Sequence, residues 1–276
     1  MIKTLIAPAV VSLATTLLAF GNNAALADIV ECGAEISVDI KLDADIDCRT
    51  YPGRDGIWIQ ESGVTINLNG FTIIGPTEEE ASGIFSEDLD DVTIKNGTII
   101  GFQDGVRADG VNDLVIKDVM FSDQRLSSIV VVNSAEVRIN RVFIEQPPGD
   151  GSNPAEAIRL DNVDGAKVKY ATVDGGYFGV LSVGATDIVV KESVFTDATH
   201  GIFFVRTLES KIVGNEVSDS NGIGIGLVED STANKIKHNI ATGNGDVDMF
   251  HDEGSSPNEW INNTCNTSGG TDIDCP

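Results

Sequence analysis

From Gly56 onward the chain alternates apolar and polar positions in short runs that stop at Gly, Asn or Asp and then begin again. The stretch GIWIQESGVTINLNGFTIIG is followed by GIFSEDLDDVTIKNGTIIG from Gly83, GVRADGVNDLVIKDVMF from Gly105, SIVVVNSAEVRINRVFI from Ser128 and AIRLDNVDGAKVKYATV from Ala157. Further units open at Gly179, Gly201 and Gly222, and DVDMFHDEGSSPNEWINN from Asp246 matches GIGIGLVEDSTANKIKHN position for position. Alternation over a few residues marks a strand, and its return every 20–30 residues or so marks a solenoid. Past the N-terminal run no segment has a helical apolar period, and the leucine skeleton of a leucine-rich repeat is missing.

Each unit supplies two or three Val- and Ile-rich strands. The predicted fold is therefore all-β, a right-handed parallel β-helix of about nine coils in which strands stack on those of the next coil and extend one core. Aligned units place Ile57, Ile84, Val106, Ile129, Ile158, Val180, Ile202 and Ile223 in one buried column. Ile94, Ile116, Ile139, Val168, Val190, Ile212 and Ile236 form a second, and Asn215, Asn239 and Asn263 fall at equivalent turns. Stacked asparagines can satisfy one another and the turn backbone. A β-sandwich would show irregular strand lengths and no such columns.

Composition refines this picture at the ends. Lys3, an apolar run and the small residues Ala25–Ala27 read as a signal peptide over 1–27, leaving a mature domain over 28–276 that is secreted or periplasmic. The competing reading of this segment is a short membrane anchor. Within the domain, 28–55 reads as an N-terminal cap or first rung, 56–264 as coils and 265–276 as a C-terminal cap. The four cysteines form two local couples, Cys32 with Cys48 and Cys265 with Cys275. Nine coils at ~4.8 Å separate the two ends by about 40 Å, so only the local pairing can bridge. The formal charge of −25 argues against nucleic-acid partners and against anionic membrane surfaces once the signal is removed.

CGAEISVDIKLDADIDC, GVTINLNGFTIIG, the repeated GIxI and IxxN positions and the closing NEWINNTCNTS resemble the secreted right-handed β-helix repeat proteins of the pectate-lyase-like superfold. They are similar to the β-helix domains of periplasmic accessory proteins of nitrous oxide reductase. The resemblance runs from Cys32 to Cys275 and implies the fold; function does not follow from it. The catalytic signatures of the superfold's polygalacturonases, pectate lyases and alginate epimerases are absent, with THGI at His200 a partial echo only. Copper handling would need clustered soft donors, whereas His200, His238, His251, Met120 and Met249 are scattered along the sequence.

Alternation also names the outward residues. On the first strand they run Trp58, Phe85, Arg107, Val130, Arg159, Leu181, Phe203, then Gln60, Glu87, Asp109, Val132, Asp161, Val183, Val205. Aromatics flanking a charged centre suit a sugar chain: rings stack on its C–H faces while arginine and carboxylate fix its hydroxyls or uronate groups. Trp58, Phe85, Glu87 and Phe203 are the expected substrate-binding residues. Arg107, Asp109, Arg159 and Asp161 are the catalytic candidates if the protein is a polysaccharide lyase, epimerase or glycoside hydrolase. The insertions Pro76–Ser82 and Glu145–Glu156 are placed to wall such a groove. The alternative is a non-catalytic scaffold or surface protein that forms homo-oligomers through this face. Nine basic residues on the second strand (Lys95, Lys117, Arg138, Lys167, Lys169, Lys191, Lys211, Lys235, Lys237) form an outward stripe, read mainly as protection against edge pairing. No metal site or cofactor is expected, with calcium the one ion the acid runs SEDLDD and DVDMFHDEG would take.

Overall fold

The structure is a computed structural model that describes residues 30–76, 80–147 and 155–270 together with Ile273 and Cys275. The predicted signal segment lies outside the described residues, as do the middle parts of both predicted rim loops. Among the described residues every regular element is a strand, and all strand pairs are parallel. Eleven strands, from Ala34–Ile36 to Ser268–Gly269, stack as the first face of a solenoid of about ten turns. The other strands make two further faces, which the long strands Thr93–Ile100 and Val115–Ser122 join by running through the corner between them. There is one turn more than the sequence pattern counted. Residues 28–55 are not a cap alone, because Ala34–Ile36, Ile40–Lys41 and Ile46–Asp47 lay down all three sides of a first coil.

The core is continuous along the axis. Both predicted columns are buried, with one correction: Ile202 stacks on Ile225, and Ile223 lies half-buried outside the column. The sequence GIGIG offers two settings two residues apart. The choice is made by the residue just before the column, where Gly56, Gly83, Gly105, Gly179, Gly201 and Gly224 press against the backbone of the following coil. A Cβ on Gly201 would come within 2.5 Å of the Gly224 carbonyl oxygen, and one on Gly224 within 2.5 Å of that of Asp248. Gly224, not Gly222, therefore opens the ninth coil. The rings of Phe102, Phe121 and Phe195 fill the space the glycines leave.

The corner after the first face repeats one conformation. Asp88, Gly110, Asn133, Asn162, Gly184, Arg206 and Glu229 all have φ between 48° and 65°, a region that Gly, Asn and Asp enter at least cost. Arg206 and Glu229, the two exceptions in residue type, form an ion pair with each other. The asparagine ladder closes the turn after the second face. Asn215 donates from its backbone to Asn239 Oδ1 (2.9 Å), and Asn239 does the same to Asn263 Oδ1 (3.0 Å). A second ladder, Ser210 to Asn234 to Asn258, does the same work one corner earlier.

Cys32–Cys48 and Cys265–Cys275 are both bonded. Asp248, at the glycine position of the tenth coil, ties down the C-terminal segment by accepting hydrogen bonds from Asn244, Asn266 and Thr267. Burial pushes this carboxyl up, but those donors outweigh it and hold it below the usual carboxylate range. The basic stripe is in fact two rows. Lys95, Lys117, Lys169, Lys191 and Lys237 share one register line, and Arg138, Lys167, Lys211 and Lys235 share the next. Arg138, Lys191, Lys235 and Lys237 pair with neighbouring carboxylates.

Candidate functional site

The outward row of the first face is in the register the sequence pattern gives, from Trp58 through Phe85, Arg107, Val130, Arg159 and Leu181 to Phe203. The row is far from uniform in exposure. Trp58 is 40% exposed, whereas Val130 is 4% exposed and Leu181 7%, so those two valine and leucine side chains are covered by their neighbours. Trp58 and Phe85 form a tilted pair with centroids 6.1 Å apart.

Three concavities lie end to end along this face. The first, about 290 Å³, is lined by Gly33, Glu35, Arg54, Asp55 and Trp58. The second, about 220 Å³, shares Asp55 and adds Glu80, Ser82, Phe85 and Asp104. The third, about 370 Å³, shares Gln103, Asp104 and Arg107 with the second and continues over Ser127, Val130, Glu156, Arg159 and Asp161. Because successive members share residues they form one trench, five coil steps or about 24 Å long at ~4.8 Å per strand. A larger concavity, about 460 Å³, lies away from this face among Asp123, Glu145, Gln146, Asp174, Asp197 and Asp219. It has neither aromatic nor basic residues in its lining.

Of the four catalytic candidates, Arg107, Arg159 and Asp161 line the third concavity, and Asp109 is not in its lining. Arg159 bridges Asp161 (2.7 Å) and Glu156 (3.0 Å). Arg107 faces Asp104 at 3.5 Å, and Asp109 instead accepts a hydrogen bond from Asn133 at the corner (3.1 Å). Of the binding candidates, Trp58 and Phe85 line the trench and Glu87 sits exposed at its rim corner. Phe203 lies beyond the trench end in a separate cluster with Phe178 and His200, the rings 5.2–5.4 Å apart. Burial pulls the His200 imidazole below its ordinary value, and its Nδ1 accepts the Ile223 N–H (3.0 Å).

Sequence reasoning missed the residues two places before the buried column. In register along the axis they read Asp55, Ser82, Asp104, Ser127, Glu156, an acid on every second coil with a serine between. Asp104 is 3% exposed and Glu156 5%. Burial raises Asp55, Asp104 and Glu156 above the usual carboxylate range, against the opposing pull of Arg107 on the first two and of Arg159 on Glu156.

That sign gives a measurable result. A group protonated more readily in the folded than in the unfolded state favours folding at low pH and loses that contribution as pH rises. The window opens at the ordinary values, 3.8 for Asp104 and 4.5 for Glu156, and closes above the raised ones. The melting temperature of the parent should fall relative to an Asp104→Asn/Glu156→Gln variant as pH climbs through this window. A flat difference between the two would show that neither carboxyl is perturbed.

Among the described residues no three of His, Cys, Asp and Glu converge in a metal-binding arrangement. Met249 is in the core, His251 stacks on Trp260, Met120 is exposed on another face, and all four cysteines are in disulfides. These donors do not fit copper.

Residues 144–273 match the family model described as periplasmic copper-binding protein (NosD). No curated protein matches the chain. Among solved structures, the periplasmic alginate epimerase AlgG aligns with a TM-score of 0.62 at 12% identity, over 86% of this chain and 70% of that one. Its D317A mutant aligns at 0.58 and 12% over 76% of this chain, and the Dettilon tailspike protein (gp208) at 0.55 and 13% over 85%. This chain spans 59% of the mutant epimerase chain and 54% of the tailspike. At these identities the likeness is one of fold. Register, core and likeness agree on the fold: the chain is a right-handed parallel β-helix, similar to these structures.

Proposed function

We propose that the protein acts outside the cytoplasm and holds a polysaccharide chain lengthwise in the first-face trench. The observation that carries this reading is the continuity of the three concavities, paved with Trp58 and Phe85 at one end and floored with polar groups at the other. A groove several sugar units long with ring platforms and hydrogen-bonding side chains matches a linear polyhydroxylated ligand. Two disulfides, and a match to a family whose description is periplasmic, support the location.

The test is a glycan array followed by calorimetry, run with and without calcium. Trp58→Ala should weaken binding about tenfold, as removal of a central aromatic contact does, with the melt shifted by no more than ~0.5 kcal/mol. Arg107→Ala is the poorer probe, because it strands the buried Asp104. Self-association is the competing reading, favoured by the half-buried ladder Val183, Val205 and Val228 on the coils beyond the trench. A stable oligomer on size-exclusion chromatography, without any glycan signal, would establish it instead.

A further inference from the structure

We propose that Asp104 and Glu156 are the base and acid of a hydrolase that cleaves a neutral glycan with inversion, at the Ser127 position of the trench. The proposal rests on the binding reading above and adds to it the substrate class and the chemistry.

The first argument is geometric. Asp104 and Glu156 both pair in register with Ser127, one from each side. Their backbones are thus two strand spacings apart, about 9.6 Å, near the upper end of the carboxyl separation, about 6.5–9.5 Å, that leaves room for a water opposite the leaving group. Both line the same concavity, and both are almost wholly enclosed.

The second is an unused acceptor. Asp161 Oδ1, in the same lining, is buried without a partner. Enclosed polar atoms are rarely left unpaired, and a sugar hydroxyl or a water would satisfy this one. Ser127 lines the concavity midway between the two acids.

Charge selects the substrate. The trench is lined by Glu35, Asp55, Glu80, Asp104, Glu156 and Asp161 against Arg54, Arg107 and Arg159. Arg107 is occupied by Asp104, and Arg159 by Glu156 and Asp161 together. The charge of each central guanidinium is thus already offset by a carboxylate, and the surplus acid repels a uronate. A neutral chain meets neither obstacle.

The two acids are set apart by their surroundings. Burial raises both carboxyls, and Glu156 also feels Asp161 and Asp104 against the pull of Arg159, which assigns it the acid's part. It gives its proton to the glycosidic oxygen as the bond from that oxygen to the anomeric carbon breaks. Asp104, beside Arg107, takes a proton from the water whose oxygen forms the new bond at the anomeric carbon. The products are a reducing sugar of inverted configuration and the shortened chain, with the carboxyls reset by proton exchange with solvent.

The experiment incubates the full chain with soluble neutral glucans, xylan and mannan, and in parallel with alginate and polygalacturonate. New reducing ends, unsaturated ends and the anomer first formed are followed by proton NMR. Cleavage of a neutral glycan with inversion is expected, with Glu156→Gln and Asp104→Asn each lowering kcat about 10²–10⁴-fold while affinity changes less than about threefold. Both substitutions keep side-chain shape, and a cooperative melt with a strand-rich circular dichroism spectrum certifies folding. Binding of a neutral glycan without new reducing ends overturns the hydrolase and leaves the binding reading standing. Retention of configuration, chemistry on the uronates alone, or variants as fast as the parent overturn it too. Failure to bind any of the glycans removes both readings.

Discussion

Asn239→Ala should cost the protein about 3–5 kcal/mol. The side chain is fully buried and works in both directions: Nδ2 donates to the Ile212 carbonyl (2.9 Å) and to Asn263 Oδ1 (3.0 Å), while Oδ1 accepts the Asn215 N–H (2.9 Å). Alanine removes all of these and leaves at least the Ile212 carbonyl and the Asn215 N–H enclosed without partners. Each such orphan costs about 1–3 kcal/mol, well above the net worth of the bond that is lost. Urea unfolding of the variant beside exposed Lys211→Ala, expected within ~0.5 kcal/mol of the parent, measures the difference. A loss below about 1 kcal/mol would mean that water replaces the ladder and that the asparagines are ornamental.

Phe102→Ala should be comparably severe, at about 3–5 kcal/mol, and should also disable the trench. Phe102 is 1% exposed, and its ring fills the space beside Gly56, Gly75 and Gly83, within 3.3 Å of where their Cβ atoms would stand. Removing a buried phenyl ring forfeits its transfer energy and opens a cavity that flanking glycines have no side chains to fill. The strands above that cavity carry Trp58 and Phe85, so binding should weaken along with stability. Phe102→Leu, which retains much of the volume, should recover most of both. Equal loss in the alanine and leucine variants would argue for ring shape rather than filled space.

Much of this architecture was readable from the pattern because strands repeat with period two and coils with a near-constant length. The buried columns, the ladder of Asn215, Asn239 and Asn263, and the outward position of Trp58, Arg107 and Arg159 all follow from those two periods. The row of Asp55, Asp104 and Glu156 did not follow, and the reason is local. Gly105 and Val106 both face inward, since a Cβ on Gly105 would run into Phe121. Two inward residues in succession break the alternation and turn Asp104 outward, against the parity that a strand would give it. The equivalent glycine of the ninth coil, Gly224, explains the misplacement of Ile223, because GIGIG satisfies the alternation in either setting and only backbone contact chooses. The alternating Asp–Ser–Asp–Ser–Glu column was present in the aligned units, but it fell outside the stretch where alternation could be trusted. Arg107's choice of Asp104 over Asp109 was likewise hidden, since it depends on which carboxylate lies enclosed.

The packing links each coil to the one before it and the one after it, and this makes the molecule resemble a zip more than a globule. A break in one link does not dissolve the rest; it exposes the next link to water. The trench occupies the first six coils, whereas the asparagine ladder lies in the last three. Damage to the ladder should therefore open the C-terminal end first, with amide protection lost progressively from the Cys265 end towards the middle. The grip on a bound chain would survive until that front reached Glu156.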